Sequence, residues 1–264
     1  MQDLIVEKNN HIATLIFDRP DARNALSEDM RANLRDVLAE IEHDDDIRCI
    51  VMKGSGEHFM AGGDVKRMLN SIDQPPEKIR AEFVQRIHDL HPIMFTMRRM
   101  PKPIIASVEG AAAGAGVSMA LACDLVIAAD SAFFTLAYVH IGTSPDGSSS
   151  FSLPRAVGMK KAMEIALLGD RFDAQTAKDI GMINFVVPQA ELTAETDKLA
   201  TRLAAGPTKV YGNTKQLFYR SLENTWESQL QLEAEFFADC AARNDFKEGV
   251  SAFNQKRKPN FTGT

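Results

Sequence analysis

Two glycine-rich segments constrain this chain most strongly, because each lies between an apolar strand-like run and a helix. The first covers residues 58–68 and contains Gly62-Gly63. The second covers residues 109–118 and leads into the apolar run Met119-Ala120-Leu121. Glycine lets the backbone approach a ligand closely, and amides at the start of a helix have no partner within that helix. Each segment therefore predicts a turn whose N–H groups point outward.

Neither segment carries a phosphate-binding motif. The chain has no Gly-Lys-Ser/Thr sequence, and the glycine spacing does not fit a dinucleotide-binding fingerprint. Taken singly, each segment is typical of a tight turn between closely packed elements. A pair of such turns in one α/β core has a further use, because two amide donors that converge on one oxygen form an oxyanion hole.

The remaining pattern predicts an α/β protein with a helical C-terminal part. Apolar runs at residues 11–17, 47–52, 104–108 and 125–128 predict strands, and a helix capped by Ser27 follows the first of them. A polar, proline-containing stretch at 70–76 predicts a surface loop. After residue 188 only helical patterns occur, at 190–204, 208–221, 226–242 and 246–255. We therefore divide the chain into an α/β core, residues 1–188, and a helical oligomerisation region, residues 189–264.

Composition excludes several classes of protein. The net charge of −6 gives no overall attraction to phosphate backbones, so we expect no nucleic-acid partner. The three cysteines are far apart and show no metal-ligand spacing, which fits a reducing compartment and no metal site. No signal peptide is evident, and Glu109 and Asp124 interrupt the apolar stretch at 103–129. We expect a cytoplasmic, soluble protein.

Together these motifs resemble the crotonase superfamily of enoyl-CoA hydratases and isomerases. The resemblance rests on Phe59-Met60-Ala61-Gly62-Gly63-Asp64, Lys102-Pro103-Ile104-Ile105-Ala106 and Gly110-Ala111-Ala112-Ala113-Gly114-Ala115-Gly116, and it extends from Asn24-Ala25-Leu26 to Glu248-Gly249-Val250-Ser251-Ala252-Phe253. It implies a spiral ββα core, a C-terminal helical trimerisation region, and a homotrimer or a dimer of trimers. It also implies an acyl-CoA substrate, with CoA carried by the thioester and no separate cofactor.

The resemblance assigns roles to particular residues. The amides of Gly63 and Ala115 are expected to hold the thioester oxygen. The backbone of Ala25, Ala61, Asp64 and Val65 is expected to surround the adenine and pantetheine of CoA. Its phosphates are expected to meet Arg23, Lys66 and, from a neighbouring subunit, Lys256. A solvated surface cation is the alternative for these three basic residues.

The reaction depends on which acid lies beside the thioester. Hydratases of this family use two glutamates, and Ser118 and Tyr138 stand at the matching positions, so the carboxylate pair is missing. Asp146 lies in Ser144-Pro145-Asp146-Gly147-Ser148, which resembles the Pro-Asp segment of the phenylacetate-pathway epoxide isomerase and the Δ3,Δ2-enoyl-CoA isomerases. Proline and glycine around an aspartate are also ordinary turn chemistry. We predict that Asp146 is the single base of an isomerase. Its apolar pocket is expected to include Phe134, Leu136, Val139 and Met94.

Several other functions remain open. In an aryl-CoA dehalogenase, Asp146 would be a nucleophile, His91 would assist it, and Tyr138 would replace a tryptophan. A hydratase would use Asp146 and an ordered water. A CoA-binding scaffold or an RNA-binding protein would need no reaction, although the acidic charge argues against RNA. A serine hydrolase is also only weakly supported, because no serine has the nucleophile-elbow context.

Overall fold

Strands and helices alternate through the first part of the chain, and only helices follow residue 187. This computed structural model describes residues 1–264. The strands are β1 (Leu4–Asn9), β2 (Ile12–Phe17), β3 (Cys49–Gly54), β4 (Ile104–Val108), β5 (Ala111–Ala113), β6 (Leu125–Ala129), β7 (Phe133–Thr135), β8 (Phe172–Asp173) and β9 (Phe185–Val187). The helices are α1 (Glu28–His43), α2 (Val65–Met68), α3 (Pro76–His88), α4 (His91–Arg99), α5 (Ala115–Ala122), α6 (Ser149–Val157), α7 (Met159–Leu168), α8 (Ala174–Asp179), α9 (Leu192–Ala204), α10 (Thr208–Ser221), α11 (Trp226–Ala241) and α12 (Asn244–Asn254).

The strands form two sheets. The larger sheet has the order β1-β2-β3-β4-β6-β9, in which only β1 and β2 are antiparallel neighbours. The smaller sheet has the order β5-β7-β8. Strand β4 is buried along its whole length, as expected for a parallel strand with both faces covered. Isolated bridges join Leu26 to Gly63 and Met60 to Ala112, so the chain segments after β3 and β4 pair with one another.

The predicted elements are confirmed for the long segments. Strands occur within or beside all four predicted runs, and the four C-terminal helices begin and end within two residues of the predictions. Ser27 caps α1, because its side chain accepts a hydrogen bond of 3.0 Å from the Met30 amide, a contact worth about 1 kcal/mol. The predicted loop at 70–76 is partly wrong, because residues Leu69–Ser71 form a 3₁₀ turn and α3 begins at Pro76.

Helix α9 continues the core beyond the boundary that we place at residue 188. It packs against β3, β4 and β6, and its residues Leu192, Ala200 and Ala204 belong to the main buried cluster. The division at residue 188 therefore separates patterns in the sequence, whereas the packed core extends through α9. Of the four C-terminal helices, α10, α11 and α12 contribute no residue to that cluster.

A buried ion pair attaches α10 to the central sheet. The Lys215 Nζ lies 2.7 Å from a carboxylate oxygen of Asp124, and their side chains are only 9% and 15% exposed. The same carboxylate accepts a hydrogen bond of 2.8 Å from the Ile104 amide at the start of β4. Burial raises the pKa of Asp124, while the positive charge of Lys215 opposes that rise. The carboxylate therefore depends on its lysine partner.

We expect Lys215→Met to lower the free energy of unfolding by about 3–5 kcal/mol, because it leaves the Asp124 carboxylate buried without a partner. The matched control is Lys209→Met on the same helix, where an exposed pair with Asp45 at 3.3 Å is worth less than about 1 kcal/mol. Urea unfolding of both variants measures the difference. Equal losses in the two variants would show that α10 is not held by this pair.

Candidate active site

The topology brings the two glycine-rich segments together. Strands β3 and β4 are parallel neighbours, with Ile50 opposite Ile104 in the register. Their carboxyl ends, Gly54 and Val108, therefore lie at the same edge of the sheet. Each glycine-rich segment begins within a few residues of one of these ends. Because the two strands are neighbours, the segments that follow them leave the sheet side by side.

Main-chain hydrogen bonds join the two segments. The Met60 amide donates to the Ala111 carbonyl at 3.0 Å, and the Ala113 amide donates to the Met60 carbonyl at 2.9 Å. The Gly62 backbone has a φ of +94°, and a Cβ added there would lie 3.9 Å from the Ala115 amide nitrogen. The residue before Gly63 therefore lies in contact with the amide at the start of α5.

Both predicted donors lack an acceptor within their own element. The Gly63 amide makes no hydrogen bond with the protein, and Ala115 is the first residue of α5. Gly114 precedes it with φ +49° and ψ −115°, a conformation that side chains other than glycine rarely adopt. Gly116 allows close packing, since a Cβ there would come within 2.1 Å of the Met60 carbonyl oxygen. The glycines thus set the direction of two unpaired N–H groups.

One cavity of about 570 Å³ contains the predicted catalytic residues. Gly63, Ala115 and Asp146 all line it, although they come from three separate parts of the chain. Ala61 and Val65, which we predicted near CoA, also line it. The three predicted catalytic residues are therefore brought to one place.

A tight turn directs Asp146 toward this cavity. Gly147 and Ser148 both have positive φ values, +57° and +66°, and the chain then enters α6. A side chain at Gly147 would collide with Ser118, since an added Cβ would lie 2.8 Å from the Ser118 Cβ. The Asp146 carbonyl accepts hydrogen bonds from the hydroxyls of Ser118 at 2.9 Å and Ser149 at 2.8 Å. These contacts hold the backbone of the turn.

The Tyr138 hydroxyl holds the carboxylate itself. It donates a hydrogen bond of 2.5 Å to an Asp146 carboxylate oxygen, and it lies 3.2 Å from the Ser118 hydroxyl. Burial and the neighbouring negative charge of Asp146 raise the pKa of Tyr138 far above its ordinary value. The phenol therefore remains protonated and acts as a donor. The hydroxyls of Ser118 and Tyr138 thus hold the backbone and the carboxylate of Asp146, respectively.

The remaining residues predicted to bind CoA do not line the cavity. Arg23, Lys66 and Lys256 are exposed, and the Ala25 carbonyl accepts a hydrogen bond of 2.7 Å from Arg19. Asp64 caps α2 by accepting the Arg67 amide at 3.2 Å, and it forms an ion pair of 3.1 Å with Arg19. Burial works against the charge of Asp64, but these two donors outweigh it and lower the pKa of Asp64. The Asp64 side chain therefore stabilises the local structure. Contact of CoA with Arg23, Ala25, Asp64, Lys66 and Lys256 stays a prediction.

The predicted apolar pocket around Asp146 is wrong in its residues. Phe134, Leu136, Val139 and Met94 do not line the cavity, and the first two are fully buried in the core. The apolar wall instead includes Met68, Phe83, Ile87 and Leu90, from α2, α3 and the turn after α3. The register of β7 points Phe134 into the core, which its apolar character alone could not reveal.

Sequence reasoning also missed two arginines in the cavity wall. Arg31 on α1 and Arg86 on α3 both line it. The signal for Arg31 was present, because it lies on the buried stripe of α1 with Leu34, Leu38 and Ile41. A charged residue at such a position indicates a side chain that cannot reach bulk solvent freely.

Comparison with known proteins agrees with this architecture. Residues 7–264 match the family described as Enoyl-CoA hydratase/isomerase. The 1,2-epoxyphenylacetyl-CoA isomerase of Escherichia coli is 37% identical over 100% of this chain and 99% of its own length. The 4-chlorobenzoyl coenzyme A dehalogenase-2 of Arthrobacter is 33% identical over 95% of this chain and 90% of its own. A solved enoyl-CoA hydratase from Polaromonas sp. JS666 superposes with a TM-score of 0.92 at 35% identity, covering 98% of this chain and 99% of that one.

The chain belongs to the enoyl-CoA hydratase/isomerase family and has the crotonase fold that the motifs predicted. It is an acyl-CoA enzyme of that family. These relatives carry three different reaction names, so the family alone does not select one reaction. None of the helices combines the length and apolar character needed to cross a membrane.

We expect Ala115→Pro to lower kcat by a hundredfold or more, because proline removes the N–H donor at the first position of α5. Proline is sterically suited to this helix position. Ala115→Ser is the matched control, since it changes the side chain and keeps the amide. Turnover of an acyl-CoA substrate and the far-ultraviolet circular dichroism of both variants are the measurements. A well-folded proline variant with the turnover of the serine variant would remove this amide from the mechanism.

Proposed function

We propose that the chain is an enoyl-CoA isomerase that moves a double bond from Δ3 to Δ2 with Asp146 as its single base. The observation that carries this proposal is the composition of the cavity. Asp146 is the only carboxylate that lines it, and it shares the cavity with the amides of Gly63 and Ala115. Hydration by two acids requires a second carboxylate, whereas a 1,3-proton shift requires one group that takes and returns a proton.

The proposed reaction has two proton transfers. The Asp146 carboxylate removes a proton from C2 of a 3-enoyl-CoA, and the C–H electron pair moves into an enolate whose oxygen is held by the Gly63 and Ala115 amides. The carboxylic acid then returns the proton at C4 as the C2–C3 double bond forms. No atom is gained or lost, so neither water nor a separate cofactor is required. The Tyr138 hydrogen bond supports this role because it fixes one carboxylate oxygen and leaves the other free.

Binding of CoA completes the proposal. Ala61 and Val65 line the cavity beside Gly63, so they are suited to contact the pantetheine arm. Arg23 and Lys66 are exposed on the adjoining surface segments and could meet the phosphates without desolvation. Lys256 follows α12 and would reach a neighbouring active site only in an oligomer.

His91 supports a second candidate, the dehalogenase. Its ring lines the same cavity as Asp146, at the start of α4. In that reaction the Asp146 carboxylate would attack the aryl carbon that carries the halide. The ring of His91 instead packs near His88 and Phe95, with ring centroids 5.3 Å and 5.9 Å apart. The hydrogen bond from Tyr138 lowers the nucleophilicity and the basicity of that carboxylate oxygen alike, so the packing of His91 against His88 and Phe95 is what favours the isomerase.

We expect Asp146→Asn to lower kcat for isomerisation of a 3-enoyl-CoA by about a thousandfold, because an amide cannot accept the C2 proton. Asp170→Asn, an exposed aspartate without a hydrogen-bond partner, is the matched control and should retain wild-type turnover. Formation of the conjugated thioester and exchange of the C2 proton with deuterated solvent are the two measurements.

The same wild-type enzyme should be given 3-enoyl, 2-enoyl and 4-halobenzoyl thioesters of CoA. Isomerisation without hydration or halide release supports the proposal. Halide release that disappears in Asp146→Asn would establish the dehalogenase instead. Hydration of the 2-enoyl thioester at a rate exceeding isomerisation would establish a hydratase, and wild-type isomerisation by Asp146→Asn would reject this residue as the base.

We also propose that the helical region forms the contact between subunits. Large apolar side chains are exposed on α10, α11 and α12, with Phe218, Trp226, Phe237 and Phe253 each more than 70% exposed. An open apolar hollow of about 660 Å³ lies among these helices. Exposed apolar patches of this kind indicate a protein interface. Light scattering should give the mass of a trimer or hexamer, and Phe253→Asp should shift it toward the monomer; a monomeric wild-type protein would contradict this proposal.

A further inference from the structure

Arg31 lies in the cavity wall, and its guanidinium has no hydrogen-bond or ion-pair partner in the protein. Its residue is only 9% exposed, and its Nε makes no hydrogen bond. No carboxylate lies within ion-pair distance of it, and none of its nitrogens donates a hydrogen bond within the protein. Arg31 nevertheless lines the same cavity as Asp146. An arginine remains charged when buried, so this positive charge has no direct ion-pair partner in the fold.

The nearest acidic residues are already engaged elsewhere. Glu28, on the preceding turn of α1, forms an ion pair with Arg67. Asp89 accepts a hydrogen bond of 2.8 Å from Gln85. Burial lowers the pKa of Arg31, and the positive charge of Arg86 acts in the same direction, whereas the negative charges of Glu28 and Asp89 oppose the shift. Neither of these carboxylates forms an ion pair with Arg31 itself.

Arg86 adds a second guanidinium to this wall. It lines the cavity from α3, is half-buried, and forms no ion pair; its guanidinium lies over the Phe83 ring at 5.9 Å. The two arginines come from different helices, so their proximity is a product of the tertiary fold. Charged side chains that are nine-tenths buried are rare without a partner, because desolvation of an unpaired charge is costly. A ligand anion is the missing partner.

We propose that the acyl group of the substrate carries a second carboxylate, at the end distant from the thioester, and that Arg31 binds it with Arg86 in support. This inference rests on the proposed function, because it assigns the substrate class of the same isomerase. The apolar side chains of Met68, Phe83, Ile87 and Leu90 would contact the intervening carbon chain. The substrate is then the CoA monothioester of an unsaturated dicarboxylic acid.

The CoA phosphates are the other source of an anion. The geometry favours the acyl carboxylate, because Arg31 is buried in the cavity wall, whereas phosphates are large, strongly hydrated groups that suit exposed cations. Arg23 and Lys66 offer such exposed cations. The two sources differ in a measurable way, since only the phosphates are present in free CoA and in every acyl-CoA.

The experiment compares two saturated acyl-CoA thioesters of equal chain length, one ending in a carboxylate and one in a methyl group, over several lengths. Dissociation constants are measured by calorimetry for the wild type, for Arg31→Met and for the control Arg35→Met. Arg35 lies on the same helix and pairs with Asp36 in solvent, so it should leave binding unchanged. We expect the wild type to prefer the carboxylate ligand by tenfold or more, and Arg31→Met to reduce that preference by about 10- to 100-fold.

Each result separates the possible explanations. An unchanged preference in Arg31→Met, or a wild type that prefers the methyl-ended ligand, overturns the inference. If Arg31→Met weakens free CoA and both thioesters equally, the arginine binds a CoA phosphate and the inference is also overturned. Binding of saturated ligands needs no turnover. A negative result here would therefore reject the dicarboxylate substrate without rejecting the isomerase, which is tested by the turnover assay. Arg31→Met should also raise the melting temperature of the ligand-free protein, because it removes the unpaired charge; a lower melting temperature would indicate a structural role.

Discussion

The pairing of two backbone segments through Met60 is the interaction on which the rest of the site depends. Two hydrogen bonds of 3.0 Å and 2.9 Å connect Met60 with Ala111 and Ala113, and no side chain takes part in them. They bring Gly63 and the start of α5 to one cavity. Because the contact is made by the main chain, the surrounding glycines must remain small: a single Cβ at Gly116 would collide with the Met60 carbonyl. The site therefore depends on glycine at a few positions, because a larger residue there would push the two backbone segments apart.

In the proposed mechanism, the choice of reaction is determined by a different level of structure. The proposed hole for the thioester oxygen is formed by backbone amides, whereas the proposed base is a side chain on the Asp146 turn. The hydroxyls of Ser118 and Tyr138, which the family resemblance places at the positions of the hydratase glutamates, both contact Asp146. The replacement thus has two linked effects, since it removes a pair of acids and supplies the donors that orient a single one. One scaffold can change its proton chemistry in this way without moving the oxyanion hole.

The sequence predicted the features that depend on local pattern and on the order of elements. The C-terminal helices were predicted because their apolar spacing is long and regular. The pairing of Gly63 with Ala115 was predicted from the family resemblance, and the structure shows that the adjacency of β3 and β4 brings their two segments together. Strand β1 was missed because it is an edge strand with mostly solvent-facing residues, and β5 was missed because three alanines carry no strand signal. The four apolar residues predicted around Asp146 were wrong, whereas the family resemblance had assigned the segment from Asn70 to Met97 to the acyl pocket, and residues of that segment do line the cavity. The particular side chains could not be predicted, because they reach the site through tertiary packing. Apolar character alone did not distinguish Phe83, which lines the cavity, from Phe134, which fills the core.

Helix α1 combines two demands that conflict energetically. Its apolar stripe fills the core with Met30, Leu34, Val37, Leu38 and Ile41, yet the same buried surface includes the charge of Arg31. An apolar residue of similar length would stabilise the fold at that position, because the guanidinium has no partner to compensate its lost hydration. A charge that opposes folding is retained most readily where it is used for binding, since functional sites are where proteins accept a loss of stability. The cavity then combines a single carboxylate, two guanidiniums in the helical wall, and the apolar side chains of Met68, Phe83, Ile87 and Leu90.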